Sequence, residues 1–583
     1  MLSNAFNRSS ISLNMRVGIF ECYGLLFTTL GPGFVEREYK DIVRHIMQEI
    51  VSRSSSTEKV SKEKENLSIL ILKLVDLVLN ELVGVRMLSE QGQVNAILEL
   101  STSYLKKWPA LLSSSAPSSR NTSSSRAEPE PLVLTSVLRL TCGLLSQLGA
   151  APPSIQDALS RPLQTLLEHP SKEVRVCAAY ALRGFCYNAP RGIARTVSSI
   201  LEGLQRDVSG LGMFQDGVNS AGGSNMPSEK ELTARALGHA YGLSALFSII
   251  PLRPLYVSSD LSSRVFDTAT QLLRTAGEHN IRRAAVEVEC AWIALASLMC
   301  LGPAFVRTQV TNLMVLWRNA LPKPTSKDLN STSTSFQSKG SGTVTVTTSD
   351  RNVSEWSFML HVRACALGAV LEFLRWNGWK LATRDVQRRL VGLLGNALAF
   401  ANAFIASHSS PPPPGGGGIE SEDDLQLAFE REAILRRRVY ECFSELASGY
   451  ASCQSISPSA GTGGNGFLPL PESTQLGLLQ STAAIFVGGY SELERGASAL
   501  QAAIASVNTN FNSLWVGYRP GPTGSNGEAW GITSLVGFEE DGAREEGEEG
   551  DVGFLVRLRF SIKSIATLIT VSLLGQSTYI GIT

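Results

Sequence analysis

The residue types that most often carry acid–base or metal chemistry are sparse and scattered in this chain. Its histidines form no HExxH motif and no pair at metal-ligand spacing. We therefore predict that each histidine lies at a helix end or on the surface, and that none is catalytic. The six are His45, His169, His239, His279, His361 and His408.

Motifs for nucleotide binding and nucleophilic catalysis are absent or out of place. The sequence contains no GxxxxGK[ST] loop and no GxSxG elbow. The run Gly461-Thr-Gly-Gly-Asn-Gly fits GxGxxG by count, but it lies in a Ser/Gly linker with no strand before it. Acidic pairs such as Glu36 and Glu38 lie on predicted outer helix faces. The sequence therefore predicts no catalytic, cofactor-binding or metal residue, no cofactor and no enzyme, and it identifies no particular binding residues.

Nine cysteines occur singly, and none forms a CxxC pair. Most lie in apolar helical runs, where a free cysteine acts as a small hydrophobic residue. This usage is typical of a reducing compartment and argues against a disulfide framework or a zinc ribbon. The first fifteen residues lack the build of a signal peptide, so we predict a cytoplasmic protein.

Three short arginine clusters could contact nucleic acid. They are Arg436–Arg438, Arg282–Arg283 and Arg388–Arg389, and acidic residues neighbour each of them. Lys plus Arg and Asp plus Glu both total 52, so no net field attracts phosphates. We interpret the clusters as solvated helix faces, and the aromatic Trp376 and Trp379 as helix-packing residues. No nucleic-acid partner is predicted.

Apolar residues recur at spacings of three and four along most of the chain, which predicts helix after helix and an all-α fold. Over 66–85, Lys73, Asp76 and Asn80 form one narrow polar stripe, as expected for a helix buried on most sides. Twelve uncharged residues precede Gly302, which together with the following proline ends one helix and begins the next.

Short breaks divide the predicted helices into antiparallel pairs that begin roughly 40 to 60 residues apart, at or above the HEAT/armadillo period. The predicted pairs are 11–31 with 33–53, 66–85 with 91–108, 131–149 with 153–168, 172–188 with 190–207, 230–250 with 260–276, 281–301 with 303–320, and 353–377 with 383–407. Two further helices are predicted near 423–451 and 474–508. Stacked pairs of this kind predict a HEAT/armadillo-like α-solenoid with disordered inserts.

Low-complexity stretches divide the array, because their composition buries too little apolar area to offset the entropy of ordering. The predicted organisation comprises N-terminal helical repeats (1–112), a disordered linker (113–130), HEAT-like repeats (131–322), a disordered insert (323–352), a long helix pair (353–408), a Pro/Gly linker (409–424), C-terminal helical repeats (425–518), an acidic disordered segment (519–551) and an apolar tail (552–583). The acidic segment is interpreted as a solvated loop, with a bait for a basic partner as the alternative.

The uncharged stretch 564–583 is just long enough to span a bilayer and follows Arg557, Arg559 and Lys563. Its Ser, Thr, Gly and Gln residues lower its hydropathy. We interpret it as a buried helix or as a point where the natural protein continues, with a membrane tail anchor as the alternative.

One helix start carries a distinct pattern, His169-Pro-Ser-Lys-Glu-Val-Arg-Val-Cys-Ala-Ala-Tyr-Ala-Leu. A proline precedes the helix, Val174 begins its buried face, and Arg175 is predicted to point outward. The alanines that follow allow stacked helices to approach to about 8–10 Å. This pattern resembles the start of a HEAT repeat, and Asn280-Ile-Arg-Arg-Ala-Ala-Val echoes it.

Five segments resemble one protein family in their order and spacing. They are 15–32, 169–175, 240–246, 291–306 and 313–318, the last reading Leu-Met-Val-Leu-Trp-Arg. They are similar to the N-terminal part of the large HEAT-repeat clathrin-adaptor accessory proteins, the Laa and HEAT-repeat-containing-protein-five family. The resemblance covers roughly residues 11–407 and weakens through 508, and members of the family are much longer than this chain.

This resemblance implies a non-enzymatic scaffold in vesicle-mediated transport, which assists recruitment or localisation of the type-1 clathrin adaptor complex in trans-Golgi network and endosome traffic. The implied partners are that complex and a smaller adaptor-accessory protein. The implied location is cytoplasmic and peripheral on those membranes, through the partners. A homodimer is compatible with such an array. The alternative is a HEAT-repeat scaffold in nuclear transport or chromatin association, since the same fold serves those roles.

Overall fold

A computed structural model describes residues 1–53, 61–109, 129–212, 227–324, 353–408 and 422–456, with a few positions between 502 and 510. These residues form helices and connecting turns without any strand, so the chain is all-α, as predicted. They fall into two compact units. The first unit comprises the described residues of Met1–Leu261 and of Ser491–Leu535, and the second comprises those of Ser262–Tyr490.

The helices up to residue 247 belong to the first unit. They are α1 (Leu2–Phe6), α2 (Leu13–Leu30), α3 (Pro32–Arg37), α4 (Tyr39–Ile46), α5 (Ser61–Val75), α6 (Glu90–Ser103), α7 (Pro131–Gln147), α8 (Pro153–Leu166), α9 (Lys172–Asn188), α10 (Ile193–Leu211) and α11 (Glu229–Phe247). Helices α4 and α5 continue as π-helix over Met47–Ser52 and Asp76–Met87.

Six further helices follow. They are α12 (Ser259–Thr275), α13 (Ile281–Leu298), α14 (Pro303–Ala320), α15 (Val353–Leu381), α16 (Arg384–His408) and α17 (Glu422–Ile456). The predicted helix over 33–53 is divided, because the chain leaves helical geometry at Glu38 between α3 and α4. The predicted helix at 474–508 lies almost wholly outside the described residues. So do most of the predicted linkers, the acidic segment and the apolar tail.

Local sequence fixes several of these helix starts. The Ser228 hydroxyl accepts from the amide of Glu231, whose carboxylate accepts in return from the amide of Ser228, so a capping box begins α11. The Asn280 side chain caps α13 by accepting from the amide of Arg283 at 2.9 Å. Before α14, Gly302 adopts a φ of 85°, a conformation that favours glycine. The predicted break at this glycine is thereby confirmed.

A layer of helical segments that run in the same direction forms the centre of the first unit. The π-helix Asp76–Met87 packs on α7, α7 packs on α9, and α9 packs on α11. The shared direction of α7 and α9 follows from their contacts. Cys142 Sγ lies 3.9 Å from the Tyr180 carbonyl oxygen, and further along both helices the Asn188 side-chain amide donates to the Leu145 carbonyl at 2.5 Å. A second layer covers this one, with α6 against α7, α8 against α9 and α10 against α11.

The predicted pairing of neighbouring helices is therefore wrong by one helix in this unit. The predictions paired α7 with α8 and α9 with α10, whereas the closest partner of α10 is α11. Glycines at the crossing of α10 and α11 explain this preference. A Cβ on Gly203 would lie 2.7 Å from His239, and one on Gly242 would lie 3.2 Å from Ile200. The missing side chains allow these two helices to approach closely.

The second unit repeats this layered pattern. Helices α13, α15 and α17 form one layer, with α14 against α15 and α16 against α17. The Asn377 amide of α15 donates to the Met299 carbonyl, which follows α13, at 2.8 Å. Trp317 of α14 is fully buried and meets Phe373 of α15 with their ring centroids 5.4 Å apart. These contacts place the aromatic core between the two layers.

Three of the described helical segments are long and apolar enough to cross a membrane, by length and composition alone. They are Ile281–Leu301, Val353–Gly378 and Arg384–His408. Within the protein, 89%, 72% and 44% of their most apolar windows are buried. The first two therefore direct most of their apolar surface at other parts of the protein.

Candidate functional site

The helix that carries the HEAT-like pattern, α9, is buried on almost every side. Val174 is fully buried, as predicted, and so are the alanines that follow it. The prediction that Arg175 points outward is wrong, because its side chain is fully buried. Its guanidinium turns back and donates to the carbonyl oxygens of His169 and Pro170 at 2.8 and 2.7 Å. Those bonds satisfy two carbonyls of the turn before the helix, so the role of Arg175 is to stabilise the start of α9.

The prediction of helix-end or surface positions is wrong for His239 and His361, which lie in the middle of α11 and α15. His239 Nε2 lies 3.1 Å from Asp207 Oδ2 of α10, and both side chains are buried. Burial by itself raises the pKa of the Asp207 carboxyl. His239 and Arg206 lower this pKa by a larger amount, so it lies below the usual value. This pair links α10 to α11 inside the first unit.

His361, Cys365 and Glu289 bring together the residue types of a thiol nucleophile, a base and an orienting acid. The Cys365 sulfur lies 3.8 Å from Nε2 and 3.9 Å from Nδ1 of the His361 ring. The two N–H directions diverge in the ring plane, so a sulfur nearly equidistant from both nitrogens lies along neither. Glu289 Oε2 lies 3.3 Å from Nε2. The arrangement therefore lacks the nucleophile-to-base hydrogen bond that thiol catalysis needs.

The His361 imidazole is also charged over the neutral range. Burial lowers its pKa, but the neighbouring Cys365 sulfur and the Glu289 carboxylate raise it, to about 9. The His361–Glu289 contact is therefore an ion pair between α15 and α13. Across the described residues, no group of three or more His, Cys, Asp or Glu is placed to hold a metal ion.

The arginine cluster on α17 is not a solvated face, and that prediction is wrong. Arg437 is fully buried and Arg438 is 9% exposed. The Arg438 guanidinium donates to the Ala364 carbonyl of α15 at 2.5 Å. The reason is that α17 lies against both α15 and α16, so its charged residues face other helices. By contrast Arg389 of α16 is exposed, as predicted, and pairs with Asp385 at 2.8 Å.

Two exposed apolar surfaces stand out in the first unit. One is a face of α2 and α3 that carries no described cavity; its exposed residues are Met15, Leu25, Leu26, Leu30 and Phe34. The other is the loop after α11, which consists of two 3-10 turns, Ile250–Leu252 and Pro254–Tyr256. In this loop Leu252 is 51% exposed and Leu255 is 94% exposed. Such exposure of leucine next to a cleft is typical of an interaction surface.

A cleft of about 240 Å³ lies beside this loop, where α7 and α9 end. We call it the edge cleft. The Asn188 side chain closes one side by bonding to the Leu145 carbonyl, and the Ala151 amide donates to the Asn188 carbonyl at 3.1 Å. The lining residues are Leu145, Ser146, Gln147, Leu148, Gly149, Gly184, Tyr187, Asn188 and Arg253.

Arg253 is the charged residue of the edge cleft. Its guanidinium carbon lies 4.2 Å from the centroid of the Tyr187 ring, a cation–π distance. Its backbone amide bonds to the carbonyls of Ile249 and Ile250, both at 3.0 Å, which holds the start of the loop. The edge cleft thus combines a positioned cation with a neighbouring loop that carries exposed leucines.

This site was not predicted from the sequence, because the predicted helix 230–250 ended where the loop begins and the loop itself was assigned no role. A usable signal was present in Ile250-Pro-Leu-Arg-Pro-Leu-Tyr, since two prolines stop the helix while apolar residues continue outside any helical period. No protein-family model matches the chain, and no solved structure matches it. The edge cleft is therefore interpreted from its own geometry.

Proposed function

We propose that this chain is a non-enzymatic scaffold of the HEAT-type α-solenoid class, which binds partner proteins. The layered packing within each unit carries this proposal. Helices of one layer contact the next helix of the same layer, as α7, α9 and α11 do in the first unit. The contacts of Cys142 with Tyr180 and of Asn188 with Leu145 show that α7 and α9 share a direction. Stacked helix pairs with nearest-neighbour contacts produce this relationship.

The chemistry of the buried polar groups supports a binding role over catalysis. His239 pairs with Asp207, and His361 with Glu289, in contacts that connect neighbouring helices. The cleft with exposed apolar surroundings is lined by a single charged side chain, Arg253. One cation without a neighbouring base or nucleophile suits recognition of a partner better than a reaction.

A role with the type-1 clathrin adaptor complex in trans-Golgi network and endosome traffic is proposed from the sequence resemblance. The resembling segments include parts of α2, α9, α11 and α13, and they contain core residues such as Trp292, which is 2% exposed. Residues that build the core support a shared fold more directly than a shared partner. The partner assignment, with a smaller adaptor-accessory protein and peripheral membrane association, therefore depends on a direct binding test.

The alternative role in nuclear transport or chromatin association gains nothing from the arginine cluster of α17. A surface that binds nucleic acid needs accessible cations, and Arg437 and Arg438 are buried against α15 and its neighbours. The zero net charge also provides no general attraction. Adaptor-dependent traffic remains the proposed role.

Affinity purification of the tagged full chain tests this proposal. We expect recovery of type-1 adaptor subunits, and puncta of the tagged protein on Golgi or endosomal membranes. A diffuse cytosolic distribution with no adaptor subunit recovered would contradict the proposed role.

A further inference from the structure

The edge cleft is lined by one cation, the guanidinium of Arg253. Among the described residues no carboxylate pairs with the Arg253 guanidinium, and its Nε has no hydrogen-bond acceptor. A guanidinium presents a planar fork of donors that matches a carboxylate in two parallel hydrogen bonds. The Tyr187 ring, 4.2 Å away, restricts its movement before any ligand arrives. Such pre-organisation lowers the entropic cost of binding an acidic group.

The size of the edge cleft restricts the apolar part of a ligand. Its volume of about 240 Å³ is below the roughly 300–1,000 Å³ of sites for drug-sized molecules and cofactors. One or two apolar side chains of a peptide suit it better. Leu148, which is 5% exposed, lines it together with Tyr187, and Leu255 is exposed in the adjoining loop, where a second apolar side chain could pack.

We propose that the edge cleft binds a short segment of a partner protein in which an acidic residue is adjacent to bulky apolar residues. This inference rests on the proposed function as a protein-binding scaffold and names the class of segment that it binds. The acidic side chain pairs with Arg253, one apolar side chain enters the cleft beside Leu148 and Tyr187, and a second packs on the exposed leucines of the loop.

A lipid surface is less consistent with this geometry. Membrane recognition through headgroup charge uses clusters of about 4–8 basic residues, whereas the loop 250–256 contains one, Arg253. That cation also lines a concave cleft and lies over a tyrosine ring. Vesicle binding therefore enters the test as a competing outcome.

The test begins with selection of peptides from a displayed library of random twelve-residue sequences on the full-length protein. We expect the selected peptides to contain Asp or Glu next to Leu, Ile or Phe. Fluorescence polarisation then measures the affinity of the selected peptides for the wild type and for variants. Arg253→Met removes the cation, and Gly149→Leu fills the cleft, since no atom lies within 4 Å of a Cβ added at Gly149.

Both variants should bind the selected peptides at least tenfold more weakly, whereas Arg389→Met, an exposed cation of the second unit, should bind as the wild type does. Arg253→Glu should weaken acidic peptides further and improve their lysine-substituted versions. Thermal melting of each variant establishes that it is folded. Failure to select any acidic–apolar peptide, or equal binding by Arg253→Met and the wild type, would overturn the proposal. The proposal would also be overturned if the protein bound no peptide but bound phosphatidylcholine/phosphatidylserine vesicles, and if this vesicle binding required Leu255 and Arg253.

The adaptor purification separates this inference from the proposed function. Recovery of adaptor subunits by both the wild type and Arg253→Met, without selected peptides, would retain the scaffold role and overturn the cleft assignment. Arg253-dependent peptide binding without recovery of adaptor subunits would retain the cleft assignment and overturn the adaptor role.

Discussion

Gly238 of α11 lies directly against the carbonyl oxygen of Leu167, since a Cβ atom added at this glycine would lie 1.7 Å from that oxygen. The obstructing atom belongs to the backbone, so it cannot rotate away. The same Cβ would lie 2.8 Å from Cδ of Arg175. The close approach of α11 to the turn before α9, and the space for the buried Arg175, both depend on this missing side chain.

Gly238→Ala should therefore destabilise the first unit despite the better helix propensity of alanine. We expect a loss of about 2–4 kcal/mol in the free energy of unfolding, from overpacking against backbone. Urea denaturation followed by circular dichroism measures it. Gly18→Ala in α2 is the matched control, because nothing lies within 4 Å of its added Cβ. It should be neutral or stabilising by up to about 1 kcal/mol. Equal effects of the two substitutions would contradict the packing described for Gly238.

The buried pair of Asp207 and His239 should make stability sensitive to acid. The folded pKa of Asp207 lies below its unfolded value, so the carboxylate stabilises the fold above about pH 4 and loses this effect as the pH falls through the folded pKa. Asp207→Asn should cost about 2–3 kcal/mol at pH 7, because it removes the nearer of the two carboxylates beside His239, at 3.1 Å against 3.9 Å for Glu168. The difference between wild type and variant should shrink below about pH 4. A difference that does not change with pH would exclude this pair as the source.

His361 should produce the opposite pH dependence in the second unit. Its folded pKa is raised to about 9, so the charged imidazole stabilises the fold fully below about pH 6.5, its unfolded pKa. That stabilisation is lost as the pH rises through the folded value. Between pH 6 and pH 9 the wild type should lose on the order of 1–3 kcal/mol more than His361→Gln. Denaturation curves at several pH values provide the measurement, and parallel pH profiles for both proteins would refute the charged state of His361.

Arg438→Ala should destabilise the second unit strongly, although the residue lies in a cluster that the sequence presents as a charged surface. The substitution removes a bond to the Ala364 carbonyl and leaves a buried space between α15 and α17. We expect a cost of about 2–4 kcal/mol in the free energy of unfolding. Arg389→Ala on the exposed face of α16 should change it by less than about 0.5 kcal/mol. Similar small effects for both would restore the solvated-face interpretation.

The sequence was sufficient for the helices because their apolar spacing and their breaks are local. The bounds of α9 and α14 agree with the predicted 172–188 and 303–320, and the break at Gly302 needs only the conformational freedom of that residue. Which helices lie closest was not predictable in this way. The contact of α10 with α11 depends on Gly203 facing His239 and Gly242 facing Ile200 across the two helices, a relationship that no single period contains.

The positions of charged side chains were the least predictable feature. Arg175 and Arg437 look solvated in the sequence, but long aliphatic stems allow them to lie in the interior while their guanidinium groups meet carbonyls or carboxylates. The edge cleft was missed for a related reason. It forms where the ends of α7 and α9 meet a loop more than sixty residues further along the chain, and only the fold brings these segments together.

The shared direction of the layered helices gives the first unit two electrically different sides. The C-terminal ends of α7 and α9 meet at the edge cleft, so their carbonyl groups direct partial negative charge there. At that edge, Arg253 is the counter-charge that an approaching acidic segment requires. The opposite ends of the same helices present amide groups and partial positive charge. An acidic segment can therefore approach the edge cleft only while Arg253 is present, because without it this edge would present partial negative charge alone.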